Sequence, residues 1–422
     1  MIGKGSVTQL LSETDIISIC TEAFESLSVD GKRVLFIIPD HTRSAPMDVM
    51  FRTVYKLLSE RVDAVDFLIA LGTHPPMSMK AIYRHLGISE EDHRRHYSRS
   101  RFFNHQWNIA DQLQKIGTIC QDDVANISSG LMTQAVDVTI NKMIMDYDLL
   151  IILGPTFPHE VVGFSGGNKY FFPGIAGPEI IDLFHWLGAL ITSPVIIGTK
   201  HTPVRQIIDR AAGMISIEKI CMSMVVQGEF LAGLYIGAPE VAWEAAADLS
   251  EKLHVVYKDH PFDTVLACAP SMYNDLWTGG KCMYKLEPVV AEGGELIIYA
   301  PHIKDVSITH GKEIEAIGYH VRDYYVKQAN RFRRVPGGIK AHSTHVKGIG
   351  TYENDVEKAR IRVTLATQIP AVTSNKINLG YRDPRSIKLS DYQNREDEGV
   401  LFVEKAGEML YRLKHDPFHS GV

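Results

Sequence analysis

Gly31-Lys32-Arg33-Val34-Leu35-Phe36-Ile37-Ile38-Pro39-Asp40 is a basic lead-in to an apolar run that stops at a proline and an acid. A short run of Val, Leu, Phe and Ile without polar alternation reads as a strand buried on both faces, the habit of parallel sheets. The run ends in a polar turn, Asp40-His41-Thr42-Arg43, and Pro46 then opens a helical pattern that continues to Val62. The pattern recurs. Residues 64–70 are apolar and end at Leu71-Gly72-Thr73-His74-Pro75-Pro76, with a helix expected over 78–85. Residues 147–153 are apolar and end at Gly154-Pro155-Thr156-Phe157-Pro158-His159. Strands that each finish in turn-forming polar residues predict a parallel α/β sheet with its ligands at the carboxyl ends. His41, His74 and His159 stand at three such ends. A single histidine there is usually structural, but three at equivalent topological positions converge on one crevice.

Outward from this core, Pro178 is placed as the first residue of a helix over 179–191 that carries His185. Residues 224–236 read as a hairpin about Gln227-Gly228-Glu229, and 238–253 as an Ala- and Glu-rich helix. A second unit opens near His260, with strands over 262–268, 294–299 and 360–369 and helices over 285–291 and 400–414. The stretch 331–350, rich in Gly, Lys and His, resists assignment. The expectation is two α/β domains with mainly parallel sheets, 1–258 and 259–422. The active site is expected in the cleft between them, and the terminal helix packs back on the first domain.

Composition agrees with this. A chain of 422 residues exceeds what one core usually serves. At 45% hydrophobic and 22% charged, it can bury a core of ordinary size. Formal net charge is -6 without a basic tract, which argues against nucleic acid as a partner while leaving a small anionic substrate open. The five cysteines form no CxxC pair, the usage of a reducing compartment. No secretory leader and no membrane span are read, so cytoplasm is the expected location.

The stretch with the most chemistry is Gly163-Phe164-Ser165-Gly166-Gly167-Asn168-Lys169, followed by Pro173-Gly174-Ile175-Ala176-Gly177-Pro178. Glycines let backbone N–H groups approach an anion, and a following helix N-terminus adds a favourable dipole. Gly166, Gly167 and Gly177 therefore mark either a phosphate cradle or a plain tight turn; no GxxxxGK[ST] and no GxGxxG occurs here. Lys169 is either a desolvated nucleophile or a solvent-facing charge. His185 is either a metal ligand or a half-buried core histidine.

These segments together resemble the nickel-dependent lactate racemase family. The residues that carry the likeness are Asp40-His41-Thr42-Arg43, Gly72-Thr73-His74, the block from Pro158-His159 to Lys169 and on to His185, Lys281, and Asn378-Leu379-Gly380-Tyr381. The resemblance implies a nickel-pincer nucleotide, a pyridinium-3-thioamide-5-thiocarboxylic acid mononucleotide carrying Ni, tethered to Lys169. It implies His185 as the protein's nickel ligand and His74 and His159 as acid/base groups. Asp40 and Arg43 would help hold cofactor and substrate, and Lys281 would face the substrate carboxylate. The implied reaction inverts C2 of a 2-hydroxy acid by reversible hydride transfer, with separate proteins building the cofactor. Trp277 and Thr278 stand where the lactate enzymes carry Tyr and Gln, so the pocket is reshaped. A malate-like, longer-chain or sugar acid substrate is open. Arg331, Arg333 and Arg334 are a second-carboxylate site or a basic surface loop.

Three other readings compete. A metal-dependent hydrolase needs clustered ligands, and HExxH is absent although His342 and His345 form HxxH. A non-catalytic cofactor carrier or 2-hydroxy acid sensor has no use for paired bases. A NAD-dependent dehydrogenase lacks its glycine fingerprint.

Overall fold

The computed structural model describes residues 1–419. They form two compact units. The first takes residues 1–157, 164–181 and 205–253; the second takes 158–163, 182–204 and the described residues from 254 onward. The units are thus interleaved along the chain. Residues 158–163 and 182–204 fall within the 1–258 range expected for the first domain, yet they pack with the second. Ile197 shows why: its side chain is wholly buried in the second unit's core.

The first unit is built on a seven-stranded sheet. Its order is Ile2–Gly5, Phe230–Gly237, Glu218–Gln227, Leu149–Pro155, Arg33–Ile38, Ala64–Ile69, Phe102–Asn104. The five strands from Glu218–Gln227 to Phe102–Asn104 run parallel, and the two at the other edge are added by antiparallel pairing, so that only Phe230–Gly237 runs against the rest. Arg33–Ile38 lies between Ala64–Ile69 and Leu149–Pro155, so Ile37 pairs with Leu68 on one side and Ile152 on the other. That central place accounts for its unbroken apolar run. Phe36 stacks on Phe67 at 5.1 Å between ring centroids, and Phe51 of the helix Met47–Leu58 meets Phe67 edge-on at 5.2 Å. All three rings are buried, and each contributes about 1.5–3 kcal/mol by leaving water.

The second unit holds a five-stranded sheet, all parallel: Gly380–Tyr381, Arg362–Thr367, Val290–Ala300, Phe262–Cys268, Val400–Val403. Two expected helices are absent from it. Residues 285–291 are not helical; a short helix Lys281–Tyr284 and a 3-10 turn Glu287–Val289 lead straight into the strand from Val290. Pro288 removes a helical donor there, and Val289-Val290 favours extended backbone. The helix expected over 400–414, which was to pack back on the first domain, is two strands, Val400–Val403 and Leu410–Leu413. Gly407, at φ +99, breaks any helix between them. The unassigned stretch 331–350 contains the helix Gly337–Lys347, which carries His342 and His345. Among the described residues no helix is long and apolar enough to cross a membrane.

Candidate active site

The carboxyl ends of two neighbouring strands of the first unit bring Asp40 and His74 together. Asp40 follows Arg33–Ile38 and is buried; His74 lies in the turn after Ala64–Ile69. Asp40 Oδ2 lies 2.5 Å from His74 Nδ1, and Asp40 Oδ1 accepts from the Thr42 backbone N–H at 3.0 Å and the Thr42 hydroxyl at 2.6 Å. Burial pushes the Asp40 carboxyl up, but the charge and hydrogen bond of His74, with Arg43 and Thr42, outweigh it and hold it well below the usual carboxylate range. An ionised Asp40 only accepts, so His74 Nδ1 carries the donated proton and Nε2 is the nitrogen left to exchange one. Arg43 completes the turn, its backbone N–H bonding the Asp40 carbonyl at 3.3 Å and its guanidinium lying over Phe157 at 5.5 Å.

The glycine-rich block meets this turn. The Gly72 N–H bonds the Gly174 carbonyl at 2.9 Å. Tyr170, next to Lys169, is buried within the fields of Arg43 and Asp40. Lys169 is half-buried in the 3-10 turn Gly167–Tyr170. Asp40, Arg43, His74 and the Lys169 turn are thus gathered in one neighbourhood of the first unit.

The three glycines of the block have a protein reason for being glycine. A Cβ on Gly166 would stand 2.2 Å from Thr156 Oγ1, one on Gly167 2.8 Å from Trp243 Cβ, and one on Gly177 2.1 Å from Thr139 Oγ1. The indole N–H of Trp243 also donates to the Ser165 carbonyl at 2.8 Å. Gly72 is different. Its φ is +55, and a Cβ there would meet nothing closer than the Pro173 carbonyl oxygen at 3.9 Å. A methyl group there would make only ordinary van der Waals contact, so the positive φ rather than crowding is what calls for glycine beside His74.

The remaining candidates lie in the second unit. His159, almost buried, accepts from the Val161 N–H at Nδ1 (3.2 Å) with Glu160 Oε2 also 3.2 Å away. His185 is half-buried on the helix Pro178–Ile191, its ring stacked on Phe184 at 4.8 Å. Lys281 opens its short helix with Nζ over the Tyr273 ring at 4.8 Å. Trp277 packs against two imidazoles, near-parallel to His342 at 3.9 Å and tilted to His310 at 4.7 Å. The Thr278 hydroxyl donates to Asp275 Oδ1 at 2.5 Å, and Asp275 caps the helix by accepting the Thr278 N–H at 3.0 Å. Arg331, Arg333 and Arg334 are exposed, with Arg331 over the Tyr324 and Phe332 rings.

Sequence reading assigns Thr42 no role beyond its motif, offers His342 only as half of an HxxH pair, and does not single out His310. Thr42 was legible as the residue two beyond an aspartate in a turn. His342 sits in a stretch that resisted assignment, so nothing placed its ring. In the fold it is buried, and burial followed by the fields of His345, His310 and His185 keeps its pKa well below the ordinary imidazole value. Among the described residues, no three His, Cys, Asp or Glu side chains converge as a metal ion would need.

Comparison with known proteins bears on this arrangement. Residues 14–195 match the lactate racemase N-terminal domain. The chain is similar to lactate racemase of Lactiplantibacillus plantarum, 25% identical over 288 residues, 66% of this chain and 62% of that protein. It is likewise similar to lactate racemase of Thermoanaerobacterium thermosaccharolyticum, 24% identical over 307 residues, 70% of this chain and 67% of that one. The sequence match thus spans less than two thirds of the first of these. A Thermotoga maritima protein of known crystal structure shares the fold at a TM-score of 0.89 and 33% identity, over 97% of this chain and 100% of that one. The lactate racemase apoprotein from Thermoanaerobacterium thermosaccharolyticum matches at 0.71 and 19%, over 97% and 94%.

Proposed function

We propose that this chain, which belongs to the lactate racemase family, inverts the configuration at C2 of a 2-hydroxy acid. The carrying observation is the Asp40–His74 pair, set at the ends of adjacent parallel strands beside Arg43 and the Lys169 turn. A carboxylate buried behind an imidazole fixes its tautomer and steadies the imidazolium that forms when it takes a proton. A hydroxyl proton is the proton such a base removes.

The residues present suit a nickel-pincer nucleotide. Lys169, half-buried in its turn, carries the amine that a covalent tether needs, and His185 carries a half-buried imidazole of the kind that ligates nickel. When bound, the cofactor supplies a reversible acceptor for the C2 hydrogen as hydride. The protein's own part is then plain. Arg43 and Lys281 bind the carboxylate; arginine does so with two parallel hydrogen bonds. His74 takes the hydroxyl proton of one enantiomer. His159 serves the other, because inversion needs a base for each face of the planar keto acid. Asp40 positions His74.

Intact mass of the protein co-produced with cofactor-building proteins tests the tether: an adduct located on Lys169 is expected, lost in Lys169→Ala. Chiral analysis over lactate, malate, longer 2-hydroxy acids and sugar acids tests the reaction. Full loading without turnover of any of them would leave a carrier or sensor, and an unmodified, active protein would overturn the proposal.

A further inference from the structure

The second unit has a buried polar cavity that the proposed reaction does not use. Three side chains of different chemistry line it: Ser193, Glu287 and His345. Each is more than nine-tenths buried, at 3%, 0% and 4% exposure. Each of these three lining residues also has one buried atom that no protein group satisfies: Ser193 Oγ, Glu287 Oε2 and His345 Nε2. The other oxygen of Glu287 accepts from the Ile349 N–H at 2.8 Å, so the carboxylate is anchored on one side only. A buried polar atom without a partner destabilises the fold, and three on residues lining one space are not sustained by chance. The cavity is about 10 Å³, room for the centre of one water molecule.

We infer that this cavity binds a single structural water, which donates to Glu287 Oε2, accepts the Ser193 hydroxyl proton and shares one hydrogen bond with His345 Nε2. Water fits where other ligands do not. It donates and accepts, so it serves a carboxylate, a hydroxyl and either tautomer of an imidazole at once. A metal ion would find one carboxylate and one imidazole, with Arg322 also lining the space and Arg360 bonded to the Glu287 backbone carbonyl at 2.6 Å. Both guanidiniums oppose a cation.

The site joins two segments that matter elsewhere. Ser193 follows the helix Pro178–Ile191, which bears His185, and that helix ends at Thr192 with φ +92. His345 lies one turn beyond His342, whose ring feels the His185 charge. The water therefore acts as a positioning element, pinning the end of the His185 helix to the helix Gly337–Lys347. The inference stands or falls independently of the proposed racemisation.

A crystal structure of the full chain at a resolution that shows ordered water should place one peak about 2.7–3.2 Å from all three atoms, without anomalous signal. Glu287→Gln keeps a polar atom facing the water and should keep both the peak and the melting temperature. Glu287→Met should lose the peak, lower the melting temperature by on the order of 5 °C and speed amide exchange at residues 193–197. Ser193→Ala, a milder change that removes one of the three partners, should give a smaller drop with the peak retained. Direct contact among the three side chains in the crystal, a metal in place of water, or equal behaviour of the Gln and Met variants would overturn the inference.

Discussion

Two turns of the first unit carry glycines, and they carry them for opposite reasons. In the turn from Gly166 to Lys169 the glycines are filled by protein: Thr156 and Trp243 stand where side chains would go. In the turn Gly72-Thr73-His74 the glycine serves a left-handed backbone at φ +55, and a Cβ there would make only ordinary contact with the Pro173 carbonyl oxygen at 3.9 Å. Glycine richness drew attention to the first as a ligand cradle, whereas its glycines are held by packing. A glycine-rich loop seen in sequence is therefore ambiguous between close packing and close approach of a ligand, and only the neighbours decide.

The sharpest way to break the comparison is at His74. If the Gly72-Thr73-His74 turn is where chemistry occurs, His74→Ala lowers turnover of the racemised acid by about 10²–10⁴-fold, the worth of a positioned general base. Stability should fall too, because the truncation leaves the buried Asp40 carboxylate without its imidazole partner, so turnover is compared where the denaturant curve shows the variant folded. The Lys169 adduct should persist. Racemase rates by polarimetry or chiral chromatography, beside a denaturant curve, check both halves. Wild-type turnover would remove His74 from the mechanism.

Gly167→Ala tests the packed turn. A methyl group there meets Trp243 at under 3 Å on a backbone at φ +56. Overpacking and left-handed strain together should cost about 2–4 kcal/mol in a urea titration. Gly72→Ala carries the strain without the collision and should cost about 1–2 kcal/mol. If the two variants lose equal stability, the contrast between the turns is void.

How much of this was legible follows from the same physics. Buried strands announce themselves by uninterrupted apolar runs, so Arg33–Ile38, Ala64–Ile69 and Leu149–Pro155 and the parallel order could be read directly. The Asp40 and His74 turns followed, because strand ends are set by local chain. Three things were hidden. The assignment of 182–204 to the second unit depends on tertiary contacts such as those of Ile197. The pair of strands near the C-terminus had the apolar content of a helix, and only Gly407 marked the break. The cluster of Trp277, His310 and His342 joins residues distant in sequence, and no spacing rule reaches it.

The smallest expected effect sharpens what holds the packed block. His105, at the end of the edge strand Phe102–Asn104, is buried, and its Nε2 lies 2.9 Å from the Ala176 carbonyl within the glycine-rich segment. Burial drives its pKa down to about 4, with the Ala176 bond opposing weakly, so the folded protein holds it neutral. A lowered folded value means that the unfolded chain binds the proton first. Stability is fully present above the unfolded value of about 6.5 and is lost as pH falls from there toward the folded value. Between pH 7 and pH 6 this residue should remove about 0.7 kcal/mol. His105→Gln, which keeps a donor for Ala176 but does not titrate, should flatten that part of the stability curve. An unchanged slope would mean that His105 takes up its proton in the fold as readily as in the unfolded chain, and that the packed block tolerates a cation at its edge.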